Sequence, residues 1–181
     1  MHTIFSSPFL VENIARISND PLKRGAMLKH FQNAEYVLAY NLEKMLPKGG
    51  VVWVLFPKTI LWQLLPTIAA KKKCKVISIH GTKEAAMGLL KARVLGNGVP
   101  IPDLLLTEPD GFTPGGAFFQ PNEAKMLEGL ELVGIGSAFQ RTSRLPATHD
   151  YLPLSKIITE LGIHSPDGFE KEVNSFPLPR P

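Results

Sequence analysis

The sequence predicts an α/β protein: a mostly parallel sheet flanked by helices and preceded by an N-terminal helical arm. Three observations predict it. From about residue 50 to 140, short apolar runs alternate with stretches of helical periodicity, the pattern of parallel strands joined by right-handed crossovers. The run Val51-Val52-Trp53-Val54-Leu55-Phe56 has no polar face, as a strand covered on both sides requires. Ahead of it, apolar residues recur at helical intervals up to Leu46.

The elements follow in order. Phe9, Leu10, Ile14 and Ile17 fall at helical spacing. Asn19-Asp20-Pro21 supplies a cap and a first-turn proline to a second helix. Its broad stripe takes in Leu22, Met27, Leu28, Phe31, Tyr36, Val37, Leu38, Leu42, Met45 and Leu46, and Pro47-Lys48-Gly49-Gly50 stops it. So wide a stripe implies packing on the main domain or on another chain. After the strand at 51–56, a helix is expected from Ile60 to Lys73, with Leu61, Leu64, Leu65 and Ile68 inward. Lys71-Lys72-Lys73 complement the dipole at its end. Then come a strand over Lys75–His80, a helix over Thr82–Leu95 closed by Gly96-Asn97-Gly98, and a strand over Asp103–Thr107. A short helix at Asn122–Glu128, a strand at Leu130–Gly136 and a last short helix at Ser155–Leu161 complete the series. The domain reading is a helical arm over 1–48, an α/β domain over 49–170 and a proline-rich tail over 171–181.

The 181 residues carry 20 Lys+Arg against 16 Asp+Glu, a formal charge of +4, and are 44% apolar, enough for one domain with a core and incompatible with disorder as the main state. Cys74 is the one cysteine, so no intrachain disulfide and no cysteine-based zinc cluster can form. The longest apolar run, Val51–Phe56, falls far short of the ~20 residues of a membrane helix. Met1-His2-Thr3-Ile4-Phe5 lacks the charged start and apolar stretch of a signal peptide. A cytoplasmic protein with no membrane partner is expected. Prolines and glycines, 16 and 15, punctuate the strand ends.

In a parallel α/β sheet, ligands sit beyond the carboxyl ends of the strands. That singles out four segments: Pro57–Ile60, His80–Glu84, Glu108–Gly116 and Ser137–Arg144. In the first, Lys58 and Thr59 offer a cation and a hydroxyl at a helix start, where free amides favour an anion. The plain alternative is a proline turn with a solvated lysine. Gly49-Gly50 precede the strand instead of following it, so neither a Walker A loop nor a dinucleotide fingerprint is present. In the second, His80, Thr82 and Lys83 converge on another helix start, suited to a phosphate, a carboxylate or a sugar hydroxyl; alternatively Thr82 is an ordinary cap. In the third, Glu108 and Asp110 flank Pro109. Paired carboxylates can do acid–base work when their environments part their pKa values, but Asp110-Gly111 and Thr113-Pro114-Gly115-Gly116 read equally as a turn. The fourth sets Arg141 and Arg144 among hydroxyls, fit to clamp an anion or touch an RNA backbone, or else simply solvated. His2, His30, His80, His149 and His164 show no metal-ligand spacing, so no metal and no cofactor is expected. His149 and Asp150 are adjacent, and neighbours seldom face each other. Cys74, at the amino end of a strand, reads as a partly buried structural thiol.

Three stretches carry a family resemblance: Thr82-Lys83-Glu84-Ala85-Ala86-Met87-Gly88 leading to Gly98-Val99-Pro100; Asp103-Leu104-Leu105-Leu106 with the glycine-containing turn after it; and Tyr151-Leu152-Pro153 with Ile157–Ile163 and Pro166. From about residue 50 to 166 the chain resembles the C-terminal Rossmann-like domain of the translation initiation factor 2B alpha/beta/delta family. That family also contains methylthioribose-1-phosphate isomerase and ribose-1,5-bisphosphate isomerase. The first stretch looks like the family's Thr-Arg-Pro-x-x-x-Gly helix start and later Gly-Ile-Pro, the second like its strand ending in Gly-Ala-Asp, the third like its closing segment. The resemblance implies a catalytic cysteine after the first strand, where this chain reads Phe56-Pro57-Lys58-Thr59. It places the catalytic aspartate near Pro109, between Glu108 and Asp110. Lys83 stands for the motif's arginine and can hold a phosphate, though not bidentately. Only Pro100 to Pro102 separate Gly-Val-Pro from the next strand, so a strand and helix of the family pattern are missing.

The resulting expectation is a shortened, non-catalytic binding domain that recognises a phosphorylated small molecule or a protein partner, with a homodimer implied by analogy. Its ligand-binding candidates are Lys58, Thr59, His80, Thr82, Lys83, Arg141 and Arg144. Two alternatives stand beside it. One is a sugar-phosphate isomerase with Glu108 or Asp110 as base. The other is an RNA-binding protein using Lys71–Lys73 and Arg141–Arg144.

Overall fold

A computed structural model describes residues 34–79, 102–142 and 144–175. The helices expected before residue 33 and over 82–95, together with His80, Thr82 and Lys83, lie outside them. The chain is α/β: the described residues form a Rossmann-like, mostly parallel six-stranded sheet flanked by helices.

Helix α1 occupies residues 34–45. Ala34, Leu38, Leu42 and Leu46 recur every four residues and are buried, and Asn41 Nδ2 donates to the Thr159 carbonyl 2.9 Å away across the sheet. The buried stripe is narrower than the spacing predicts: Tyr36 and Val37 face outward, because a helix lying on a sheet buries one row and leaves the flanks wet. Strand β1 (Val51–Leu55) is buried on both faces as expected. Helix α2 (Thr59–Lys72) presents Ile60, Leu61, Leu64, Leu65, Ile68 and Ala69 to the core. It ends on Lys73 in the left-handed conformation at φ 55°. Strand β2 (Lys75–Ile79) pairs in parallel with β1 at one edge of the sheet, and β3 (Leu104–Thr107) pairs with the other side of β1.

The chain then departs from expectation. Residues 111–119 were expected as turn and loop, but they form a hairpin of β4 (Gly111–Thr113) and β5 (Gly116–Phe119). Pro114 presets the first turn position and Gly115, at φ 84°, fills the left-handed second one. Helix α3 (Pro121–Leu127) opens on a proline at its first position. Strand β6 (Val133–Ile135) is shorter than the predicted 130–136, because Gly129 at φ 79° turns the chain just ahead of it. Strand β7 (Asp150–Leu152) adds to β5, completing a small antiparallel sheet that the sequence pattern did not announce.

The helix expected at 155–161 is a correction of type. Lys156–Thr159 is strand β8, parallel to β6, and Gly162–His164 is β9, antiparallel to β8. The β-branched run Ile157-Ile158-Thr159 favours strand, and Gly162 at φ 143° lets the chain double back. Helix α4 (Pro166–Ser175) follows. It runs past the boundary drawn at 170 and buries Val173, so residues 171–175 are helix instead of tail.

The main sheet has the order β2-β1-β3-β6-β8-β9. Alternate residues divide between two cores. Val52, Val54, Leu106, Val133, Ile135 and Ile158 pack with α1 and α2 on one face. Trp53, Leu55, Leu105 and Ile157 pack with the small sheet, α3 and α4 on the other. Gly134 faces this second core, where a side-chain carbon would collide with Leu154. No helix among the described residues is long and apolar enough to cross a membrane.

Lys73 holds a backbone conformation that glycine adopts freely. Lys73→Gly is therefore expected to stabilise the protein by about 0.5–1 kcal/mol, read as a raised urea midpoint with unchanged slope.

Candidate functional site

From β1 the chain steps outward to β2 on one side and later returns to β3 on the other. The carboxyl ends of β1 and β3 therefore flank the point where strand order reverses, the crevice in which ligands bind in such sheets. Phe56 leaves β1 at φ 53°, a left-handed conformation rare for a bulky residue, and Pro57 follows. Lys58 then caps α2. Its own side chain gives the helix no capping bond.

The cap comes from β3. Glu108 is 3% exposed, and its carboxylate accepts from Lys58 N at 2.8 Å, Ile60 N at 3.0 Å and Leu61 N at 3.0 Å. The amides that would otherwise receive an anion are thus filled by one from the protein itself. Thr107 secures the same junction by donating its hydroxyl to the Leu55 carbonyl at 2.8 Å. Burial pushes the Glu108 carboxyl above the ordinary glutamate value, against the three amides and the Lys58 charge, which pull it down.

A second polar layer lies outside the first. The Lys58 ammonium is 2.6 Å from Asp110 Oδ1 and 3.4 Å from Glu123 Oε2 on α3. Asp110 Oδ2 meets His149 Nε2 at 2.9 Å, and His149 Nδ1 meets the Thr148 hydroxyl at 2.9 Å. Gln120 Nε2 touches both Asp110 and His149, at 3.4 and 3.3 Å. The Phe118 ring packs edge-on against His149 at 5.2 Å. The Glu123 carboxyl is raised by burial and next by the Asp110 charge, and lowered by Lys58. A similar device sits at the next strand end: buried Glu160 accepts from Ala138 N at 3.0 Å and from the Ser137 hydroxyl at 3.1 Å.

The structure thus brings together Lys58, Thr59, Glu108 and Asp110. Thr59 is the first residue of α2. Arg141 pairs with Glu170 of α4 at 3.6 Å, in a segment that runs beside β4. Arg144 is exposed, its backbone turned on Thr142. Lys58 is not the solvated lysine of a plain turn. Sequence reading missed Gln120, Glu123 and Glu160; it set aside a His149–Asp150 pair and named no other partner for His149, which meets Asp110. Among the described residues, no three His, Cys, Asp or Glu side chains are grouped to hold a metal.

No protein-family model and no curated protein matches the sequence. Solved structures do. A translation initiation factor eIF-2B from Pyrococcus horikoshii OT3 superposes with a TM-score of 0.61 at 17% identity, over 87% of this chain and 76% of that one. eIF2B beta from Chaetomium thermophilum gives 0.60 at 10% identity, over 92% and 69%. The tetrameric eIF2B-beta2-delta2 complex from C. thermophilum gives 0.56 at 11% identity, over 96% and 74%. The chain has the eIF2B fold. Within that fold, the crevice at the ends of β1 and β3 holds a carboxylate plug and a lysine engaged by two further carboxylates.

Glu108→Ala is expected to cost about 3 kcal/mol or more, since it strips three amides of their acceptor. The pH dependence has a definite sign. With a folded-state value above the ordinary 4.5, Glu108 binds its proton more tightly folded than unfolded, so its contribution is present at low pH and lost as pH rises through the raised value. Melting wild type and Glu108→Gln from about pH 5 to about pH 8 should show the wild-type midpoint falling relative to the variant.

Proposed function

We propose that this chain is a non-catalytic binding module built on the eIF2B fold, and that its ligand is a protein partner. One observation carries the reading. At the strand-order reversal, where a phosphate would seek the α2 amides and a cation, Glu108 fills the amides while Asp110 and Glu123 engage Lys58. Two carboxylates on that ammonium and a third on the amides disfavour a second anion at that position. The loop after β1 also carries no nucleophile of the cysteine type that the isomerases of the resembling family place there. The tetrameric complex among the structural neighbours supports a partner of the same fold, a second copy of this chain included. A phosphate-binding role for Thr82 and Lys83 concerns residues outside those described.

A second reading has its own observation. Asp110 and His149, 2.9 Å apart beside Lys58, form an acid–base pair of the kind that moves a proton next to a carbonyl, as a sugar-phosphate isomerase must.

A thermal-shift series with inorganic phosphate and ribose 5-phosphate separates the two. A ligand at roughly a hundred times its Kd would add about 2.7 kcal/mol, a shift of several degrees. The binding-module reading expects no shift from either compound. A shift that Lys58→Ala abolishes, or conversion of aldose to ketose phosphate that Asp110→Asn abolishes, overturns it.

A further inference from the structure

The opposite rim of the sheet, at the amino ends of β1 and β2, is where the positive charge collects. Lys44, Lys48, Lys71, Lys72, Lys73 and Lys75 come from four separate segments, and the backbone gathers them. Gly49 N donates to the Lys72 carbonyl at 2.9 Å, Lys75 N to the Gly50 carbonyl at 2.9 Å, and β1 pairs Val51 with Lys75. Lys71 Nζ reaches Glu43 of α1 at 2.8 Å, which fixes the last turn of α2 beside α1. Two acids beside the rim are engaged among the described residues: Glu43 by Lys71, and Asp103 by the Val51 amide at 2.8 Å. The α2 dipole accounts for one or two cations here, not for all of these.

A row of aromatics leads into this rim. Tyr36, Tyr40 and Lys44 follow one another at four-residue spacing along one face of α1, with Tyr36 78% and Tyr40 58% exposed. Lys44 Nζ lies 4.3 Å from the centre of the Tyr40 ring. Exposed rings beside point charges are the two elements of single-strand recognition: bases stack on the rings, and phosphates pair with flexible ammonium groups. A protein partner fits less well, because lysines are depleted at protein interfaces.

We infer that the Tyr36–Tyr40–Lys44 face of α1 and the lysine rim at the amino ends of β1 and β2 bind a single-stranded nucleic acid. The surface differs from the one that spacing alone suggests. Lys71–Lys73 belong to it, whereas Arg141 pairs with Glu170 beside β4 and is no part of it. It is independent of the crevice at the carboxyl ends and of the partner that the crevice reading assigns.

Fluorescence anisotropy with a labelled single-stranded RNA of about 12 nucleotides tests it, since single-strand sites span ~4–16 nucleotides. Binding should weaken with salt at a log–log slope of about −3, for roughly four or five neutralised phosphates. Lys48→Ala with Lys73→Gly and Lys75→Ala should weaken binding about tenfold or more at low salt and cut the slope by about 2. Tyr40→Ala, on an exposed ring that the core does not use, should weaken it roughly fivefold or more with the slope unchanged. Arg144→Ala should leave both unchanged. Absence of binding at low salt overturns the inference. So does equal affinity for duplex RNA or a polyglutamate peptide with Tyr40→Ala silent, which would make the rim a general polyanion surface.

Discussion

A carboxylate on one strand closing the helix that follows its neighbour is the interaction on which the crevice depends. The first turn of α2 has amides with no partner inside the helix, and Lys58 at the cap position supplies none. Glu108 supplies it from 50 residues away, at the price of placing an ionisable group at 3% exposure. The bond joins β1, α2 and β3 at the place where strand order reverses. Once the carboxylate sits there, the backbone of Lys58 is fixed and its ammonium projects outward to Asp110 and Glu123. Asp110 in turn orients His149. The outer polar layer is therefore built on the inner one.

Glu160 repeats the arrangement farther along the sheet, reaching from the end of β8 to the amide of Ala138 beyond β6. Strand ends of this fold class commonly leave amides open to ligands. In this chain two such positions are closed from within by buried glutamates. Closure favours a rigid surface over an open anion site at these points.

Legibility in the sequence follows the range of the forces involved. Val51–Leu55 was readable because burial on both faces leaves an unbroken apolar run, and α2 because its inward residues repeat with the helical period. β4, β5 and β7 are three or four residues long, and β5 meets β7 across a gap of more than thirty residues, so no local pattern betrays them. The segment 156–164 misled because Ile157, Ile158 and Leu161 also fit a helical stripe. Only Gly162 and the β-branched pair argue otherwise. For the candidate site, position was legible and role was not. The strand-end rule found Lys58, Glu108 and Asp110, yet the capping role of Glu108 requires knowing that β1 and β3 are adjacent. His149 shows the same limit: its chain neighbour is Asp150, and its partner is Asp110, 39 positions away.

The hairpin of β8 and β9 has a bearing on how the protein keeps to itself. A sheet of parallel strands would end in a row of unpaired backbone groups, a template for strands from other molecules. Here the final strand reverses direction and is only three residues long, with α4 packed beside it. At the opposite margin, β2 begins with an exposed lysine, a residue that resists stacking against a like edge. Among the described residues, both margins of the sheet thus carry features that discourage strand-to-strand aggregation, and the exposed helix face of α1 and the loop rims are where this molecule can meet others.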